Sequence, residues 1–152
     1  MKTNGIEKMR LLSATSSTGA LLFVNAGDAV INGLTIGRGS GQVFSNTAVG
    51  TYALQSNTTG TSNTANGAFS LFGNTTGSSN TANGLQTLFQ NTTGSNNTAN
   101  GNQALLLNTT GNYNTANGNL ALSANTTGSD NTVIGNNALR NNTTGNKNTI
   151  NG

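Results

Sequence analysis

The chain lacks cysteine, proline, histidine and tryptophan, and only 6% of its residues are charged. Without cysteine it can form neither a disulfide nor a thiolate metal site. The only acidic residues, Glu7, Asp28 and Asp130, lie in different segments, so no paired-carboxylate catalytic site is expected within one chain. Serine and threonine are abundant, but no general base accompanies them. The sequence therefore predicts a protein that is not an enzyme and that binds no metal or cofactor.

Charge and hydrophobicity argue against two further classes. The six basic residues are scattered, and the repeated part of the chain holds only Arg140 and Lys147. Nucleic-acid binding requires clustered basic side chains that displace counterions, so no nucleic-acid partner is expected. No run approaches the ~20 apolar residues needed to span a bilayer. The short apolar stretch at 20–24 also does not resemble a secretory signal, so membrane insertion is not expected.

Glycine, asparagine and threonine dominate instead, in a 17-residue repeat that begins at Asn46. Its pattern is N-T-[AVI]-x-G-x-x-[AST]-L-x-x-N-T-T-G-x-x, and its residues are numbered below as positions 1 to 17. Six copies follow without insertion or deletion, and a seventh ends after five residues at Gly152. Such a period is typical of a solenoid, in which each unit contacts only its neighbours. We therefore expect a solenoid over residues 46–152, preceded by a non-repeating lead-in, residues 1–45, that caps or docks it.

The repeat composition favours strands and turns over helix. Asparagine, threonine and glycine are poor helix formers, and the absence of proline suits continuous hydrogen-bonded ladders. We expect two short strands per unit, one centred on N-T-[AVI] and ending at the invariant glycine, and one centred on x-[AST]-L. N-T-T-G would form a turn in which asparagine bonds its own backbone and glycine takes a positive φ. The predicted fold class is all-β, a parallel β-solenoid or β-roll of stacked 17-residue coils spaced about 4.8 Å apart.

Two sets of repeated residues are assigned structural roles. The leucine at position 9 is expected to form an interior ladder: Leu54, Leu71, Leu88, Leu105, Leu122 and Leu139. The turns are expected at Asn57 and Gly60, Asn74 and Gly77, Asn91 and Gly94, Asn108 and Gly111, Asn125 and Gly128, and Asn142 and Gly145. Each turn asparagine also matches the N-x-[ST] acceptor pattern for glycosylation. No ligand-binding residue is assigned.

Association with other chains is expected because the fixed apolar residues are few. A small core stabilises a lone chain poorly, and exposed aromatic residues would form an adhesive patch. Phe69, Phe72, Phe89 and Leu106 are the predicted chain–chain contacts, and a homotrimer suits a rod. Stacked coils also leave unpaired edges at their ends, so a head-to-tail filament is an alternative form of self-association.

The lead-in carries its own signals. Ala20–Asn25 and Asp28–Ile36 are predicted strands, with a turn at 26–27. The glycine-rich segment 37–41 is interpreted as a tight turn at the junction between the lead-in and the repeats. It lacks the Lys-Ser/Thr ending of a phosphate-binding loop and any helix pattern after it.

The segment NTAVGTYALQSNTTGTSNTANG, residues 46–67, resembles the repeats of bacteriophage tail fibres. Residues 31–54 resemble the segment that often introduces those repeats. The A-x-G-x-x-A/S core is more distantly similar to the head repeats of trimeric autotransporter adhesins, which form a β-roll in each of three chains. The resemblance implies a structural shaft for host or surface attachment, located in a virion or at a cell surface. A cell-surface glycan or receptor would be its partner.

Two questions stay open at this level. Val49 and Ile134 follow the family pattern at position 4, but asparagine stands at 66, 83, 100, 117 and 151. Position 4 therefore either faces the core or forms an Asn-Gly turn. The alternative functions are a self-assembling extracellular filament and an ice-binding solenoid, since regular threonine arrays can order water. No T-x-T pair recurs, which argues against ice binding.

Overall fold

The computed structural model describes residues 22–25, 28–31 and 34–152. Within these residues, ten strands form one sheet in chain order, and one 3₁₀ turn, Ser40–Gln42, is present. The strands are β1 (Leu22–Asn25), β2 (Asp28–Ile31), β3 (Leu34–Gly37), β4 (Thr47–Gly50), β5 (Thr64–Asn66), β6 (Thr81–Asn83), β7 (Thr98–Asn100), β8 (Thr115–Asn117), β9 (Thr132–Ile134) and β10 (Thr149–Asn151). The described residues contain no α-helix.

From β4 onwards the strands are parallel and their register follows the sequence repeat. Thr64 pairs with Thr81 and Thr81 with Thr98, so each residue lies over its counterpart in the next coil. Each coil contributes one three- or four-residue strand at positions 2 to 4 or 5. The predicted fold class is therefore confirmed as an all-β, parallel β-solenoid of about six stacked coils.

The second predicted strand, x-[AST]-L, is wrong. Positions 6 to 11 form turns, and the residues at positions 7 and 9 adopt left-handed backbone angles. In the third coil, residues 80–96, Gln86 has φ +53° and Leu88 has φ +52°. A left-handed non-glycine residue costs roughly 1–2 kcal/mol, so the packing of the coil must hold this conformation. The bend turns the leucine side chain into the interior, where a strand would have continued straight.

The prediction of a positive φ for the N-T-T-G glycine is also wrong. Within the repeat, the glycines with positive φ lie at position 5, for example Gly84 with φ +134°. At position 15, glycine is required because there is no space for a side chain, and not because of its backbone angle. A Cβ on Gly94 would lie 2.5 Å from the Gly111 carbonyl oxygen and 2.8 Å from the Asn108 Nδ2. The Asn91 Oδ1 of the same turn would be closer still, so glycine is needed there because both its own turn and the next coil leave no room for a side chain.

The narrow interior includes three stacked columns, at positions 3, 8 and 9. The position-9 leucines are fully buried from Leu54 to Leu122, and Leu139 is partly buried against the same core. Small residues fill positions 3 and 8, such as Ala82 and Thr87 in the third coil, both fully buried. Position 4 faces outward, since Asn66 is exposed and Ile134 is 45% exposed. The question left open by the sequence is answered: position 4 does not belong to the core.

The described part of the lead-in continues the sheet in antiparallel order. β1 pairs with β2, β2 with β3, and β3 with β4. The predicted strand Asp28–Ile36 is therefore wrong as a single element, because it comprises two strands that pair with each other through Ala29 and Ile36. The sequence does carry a signal for this break, since Asn-Gly at 32–33 is typical of a two-residue hairpin loop.

The glycine-rich segment 37–41 closes the N-terminal end of the first coil. The Ser40 amide donates to the Leu54 carbonyl at 3.1 Å. Gly39 and Gly41 have φ +73° and +76°, and a Cβ on Gly41 would lie 2.6 Å from the Thr58 carbonyl oxygen. The segment therefore lies against the first coil, and its glycines provide both the left-handed backbone and the close approach. The end of the solenoid next to the lead-in is capped.

The left-handed residues at position 17 yield a stability prediction. Tyr113 has φ +57° and is 62% exposed, so little packing compensates for its backbone conformation. We expect Tyr113→Gly to stabilise the solenoid by about 1 kcal/mol, because the relieved strain exceeds the extra entropy of glycine in the unfolded chain. Thermal denaturation followed by circular dichroism measures the change. Thr110→Gly in the same coil is the control. Thr110 is exposed and has no positive φ, so this variant should melt at a lower temperature than the wild type.

Candidate interaction surfaces

Two columns of buried asparagine side chains close each coil. In the third coil the Asn80 and Asn91 Nδ2 groups both donate to the Gly94 carbonyl, at 2.8 and 2.9 Å. The Asn91 Nδ2 also donates to the Asn74 Oδ1 at 2.8 Å, and Asn108 donates likewise to Asn91. Buried amides are stable only when their donors and acceptors are paired, and these ladders satisfy them. The repeated asparagines therefore hold the coil closed and hold successive coils together.

The same geometry decides what the turn asparagines can do. The bond from each turn asparagine to the glycine three residues on is present, for example from Asn57 to Gly60. From Asn57 to Asn125 these side chains are at most 2% exposed, and Asn142 is half-buried. A buried amide nitrogen is inaccessible in the folded chain. These N-x-[ST] matches therefore lie in the wrong place for glycosylation of the folded solenoid.

Aromatic rings form a contiguous cluster on the first three coils. Tyr52, Phe69, Phe72 and Phe89, named here the aromatic cluster, have ring centroids 5.1–6.4 Å apart for each contacting pair. Phe72 and Phe89 are stacked, with an interplanar angle of 9°. Tyr52 is 51% exposed, and the three phenylalanines are half-buried. Three of the four predicted chain–chain contacts are thus brought together.

A groove of about 350 Å³ borders this cluster. It is lined by Phe72, Gly73, Phe89, Gln90, Thr92 and Thr109. Leu106, the fourth predicted contact, stands one coil beyond Phe89 in the same position-10 column and is half-buried. Phe72 and Phe89 each cover one face of the other, which leaves their edges and at most one face of each ring to a partner. Ring edges suit an apolar protein surface better than a sugar, which stacks on an open aromatic face.

The outer side of the parallel strands carries a second regular surface. The residues at positions 2 and 4 of the repeat flank the buried position 3, so their side chains point away from the core. Position 2 is threonine, and in the second to fifth coils position 4 is asparagine, at Asn66, Asn83, Asn100 and Asn117. We name the outward threonines and these asparagines the Thr/Asn face. The sequence alone does not reveal this face, because no T-x-T pair recurs and the repeat pattern does not show which strand residues face solvent.

Charged groups form no comparable site in the described part of the chain. No group of three or more His, Cys, Asp or Glu residues there could hold a metal ion. Arg38 stacks over the Phe44 ring, 4.1 Å from its centroid, beside the cap. The described part of the chain also contains no helix that is long and apolar enough to cross a membrane.

No protein-family model, curated protein or solved structure matches this chain. The contacts and surfaces described above therefore carry the functional argument by themselves.

Proposed function

We propose that this chain is a shaft segment of a structural fibre, associated with identical chains through its aromatic cluster. The observation that carries the proposal is the unbroken stack of identical coils, in which every residue from 46 to 152 belongs to the same repeat. Such a stack has a constant cross-section and grows only along its axis. Its six coils would rise roughly 29 Å at the spacing of hydrogen-bonded strands. The solenoid supplies length and rigidity, as a shaft requires.

The aromatic cluster supports association between chains. Four neighbouring rings on one side of a rod form an apolar patch whose burial in a partner would remove them from water. Interfaces between identical chains are more apolar than ordinary protein surface, and they favour aromatic residues. A threefold arrangement about the rod axis would place this side of each chain inward. The homotrimer is the form of the fibre that we propose.

Head-to-tail stacking on the first coil receives less support. The outer edge of β4 already pairs with β3, and the segment 37–41 lies against the same coil. A second chain would have to displace both contacts. Side-by-side association therefore suits the molecule better than a filament built on the first coil.

Attachment to a cell surface completes the proposal. A fibre of this kind would act outside the producing cell, in a virion or on a cell surface, and would carry or present a group that binds a glycan or receptor. In the described coils no three or more His, Cys, Asp or Glu residues are grouped, and the rings of the aromatic cluster pack against one another, which leaves Tyr113 as an isolated exposed ring. The shaft is thus proposed as the spacer, and catalysis is not part of its role.

Sedimentation of matched variants tests the proposed association. Phe72→Asn combined with Phe89→Asn should convert the wild-type oligomer to monomers in analytical ultracentrifugation, because it removes the stacked pair at the centre of the cluster. Phe44→Asn is the control, since Phe44 is 85% exposed and stands outside the cluster. We expect that variant to sediment like the wild type. A wild-type chain that remains monomeric at high concentration would contradict association.

A further inference from the structure

We propose that the Thr/Asn face binds the surface of ice. This inference goes beyond the shaft, because it assigns a ligand to the solvent side of the parallel sheet. The threonine column runs through all seven strands: Thr47, Thr64, Thr81, Thr98, Thr115, Thr132 and Thr149. The asparagine column stands beside it in the second to fifth coils. Residues repeat about every 4.8 Å between coils and stand roughly 6.6–6.8 Å apart within a strand, which makes a two-dimensional lattice.

The threonine hydroxyls of this face are free to bind water. None of the position-2 Oγ1 atoms makes a hydrogen bond within the described structure. The position-13 threonines differ, because their hydroxyls donate to the next coil, as Thr92 does to the Thr109 carbonyl at 3.0 Å. Positions 2 and 13 are both threonine, but only the position-2 threonines have hydroxyls that are available to an external ligand. Each outward threonine also presents a methyl group beside that hydroxyl.

Three members of the asparagine column hold one another's side chains in place. The Asn83 Nδ2 donates to the Asn100 Oδ1 at 2.8 Å, and Asn100 donates to Asn117 at 2.6 Å. These bonds fix the amide planes and leave a further N–H and lone pairs for water. Side-chain ladders of this kind also oppose the twist of a sheet and keep it flat. The face is therefore ordered before any ligand arrives, which lowers the entropy cost of binding.

A crystalline water surface fits this arrangement better than other partners. The threonine and asparagine columns of the Thr/Asn face contain no charged residue and no aromatic ring. The face therefore lacks the features that recognise phosphate, nucleic acid or a sugar face. They also lack the apolar centre of a protein interface. A contact between this face and a single water molecule contributes little binding free energy. A solid with repeated water positions can contact many rows at once, so weak contacts add along the face.

Thermal hysteresis of the full 152-residue chain tests the inference. We expect the wild type to separate the freezing and melting temperatures of ice and to shape the growing crystals. Thr98→Lys should abolish most of this activity, because a long charged side chain would stand above the centre of the face. Thr93→Lys adds the same charge at exposed position 14 of the neighbouring coil, and it should retain the wild-type activity. Melting followed by circular dichroism checks that both variants fold.

Asn83→Lys provides a second face variant if Thr98→Lys does not fold, and it should also lose the activity. Absence of thermal hysteresis in the wild type would overturn the inference, as would equal losses in Thr98→Lys and Thr93→Lys. Wild-type chain that sediments with crystalline chitin or cellulose but leaves ice growth unchanged would also overturn it, in favour of a solid polysaccharide. Sedimentation in the ultracentrifuge reports on the shaft separately, because it does not involve this face.

Discussion

Leu88→Asp should abolish folding of the solenoid, whereas Leu85→Asp in the same coil should leave it folded. Leu88 is fully buried in the leucine column, while Leu85 is 47% exposed. Removing a buried leucine side chain costs about 2–5 kcal/mol, and an unpaired carboxylate in its place adds several more. Their sum is similar to the whole stability of a typical domain, about 5–15 kcal/mol. Circular dichroism and a thermal melt of both variants measure the difference.

Comparing Leu88→Asp with Leu85→Asp distinguishes the effect of a residue's place in the coil from the effect of amino-acid composition. Both replace leucine by aspartate in the third coil, so net charge and loss of apolar residues are equal. If Leu88→Asp melts at the wild-type temperature, the leucine column is not the interior of the coil in solution. If Leu85→Asp also fails to fold, position 6 is buried by contacts between chains that a single chain does not reveal.

Asn91→Asp should destabilise the solenoid almost as strongly, although it changes one NH₂ group to an oxygen. The Asn91 Nδ2 donates to the Asn74 Oδ1 and to the Gly94 carbonyl. A carboxylate would place a buried negative charge against those two acceptors, and an uncompensated buried charge costs about 3–5 kcal/mol. Asn96→Asp is the control, because Asn96 is exposed in the same coil. Thermal melts at neutral pH should show a large loss only for Asn91→Asp.

The pH dependence of these two variants identifies the cause. Burial against acceptors raises the pKa of the carboxyl introduced by Asn91→Asp above its unfolded value of about 4, since the neutral acid can donate a hydrogen bond. The folded state is then favoured below the unfolded pKa, and the penalty accumulates as pH rises from there to the folded pKa. The melting temperatures of the two variants should therefore converge in acid. A difference that stays constant down to low pH would assign the loss to packing instead of charge.

The period, the strand at positions 2 to 4 and the parallel stack could be read from the sequence, because they depend only on identical residues lying above one another. The turn at positions 6 to 11 could not. Leucine strongly favours a right-handed backbone, and only the packing of the whole coil selects φ near +50° at Leu88. The role of Gly94 was misjudged for the same reason, since the atoms that exclude a side chain come from the folded turn and from the next coil together.

The surfaces were only partly predictable. Phe69, Phe72 and Phe89 could be named because apolar residues at variable positions are conspicuous in a polar repeat. The Thr/Asn face required the direction of each strand residue, which Val49 and Ile134 at position 4 had obscured. Asparagine ladders along the stack could be expected from the repeat, but their burial could not, because polar residues are expected outside and only closure of the coil brings Asn80 and Asn91 to one carbonyl.

The regular register has a consequence for how the chain reaches this structure. The ladder bonds join residues 17 apart, as from Asn91 to Asn74 and from Thr92 to Thr109. In a chain of 152 residues this separation corresponds to a relative contact order of roughly 0.11, within the range of helical bundles and below that of β-sandwiches. The entropy of closing each loop is correspondingly small. Although the molecule is all-β, no coil needs a partner more than one period away, so each finished coil can template the next.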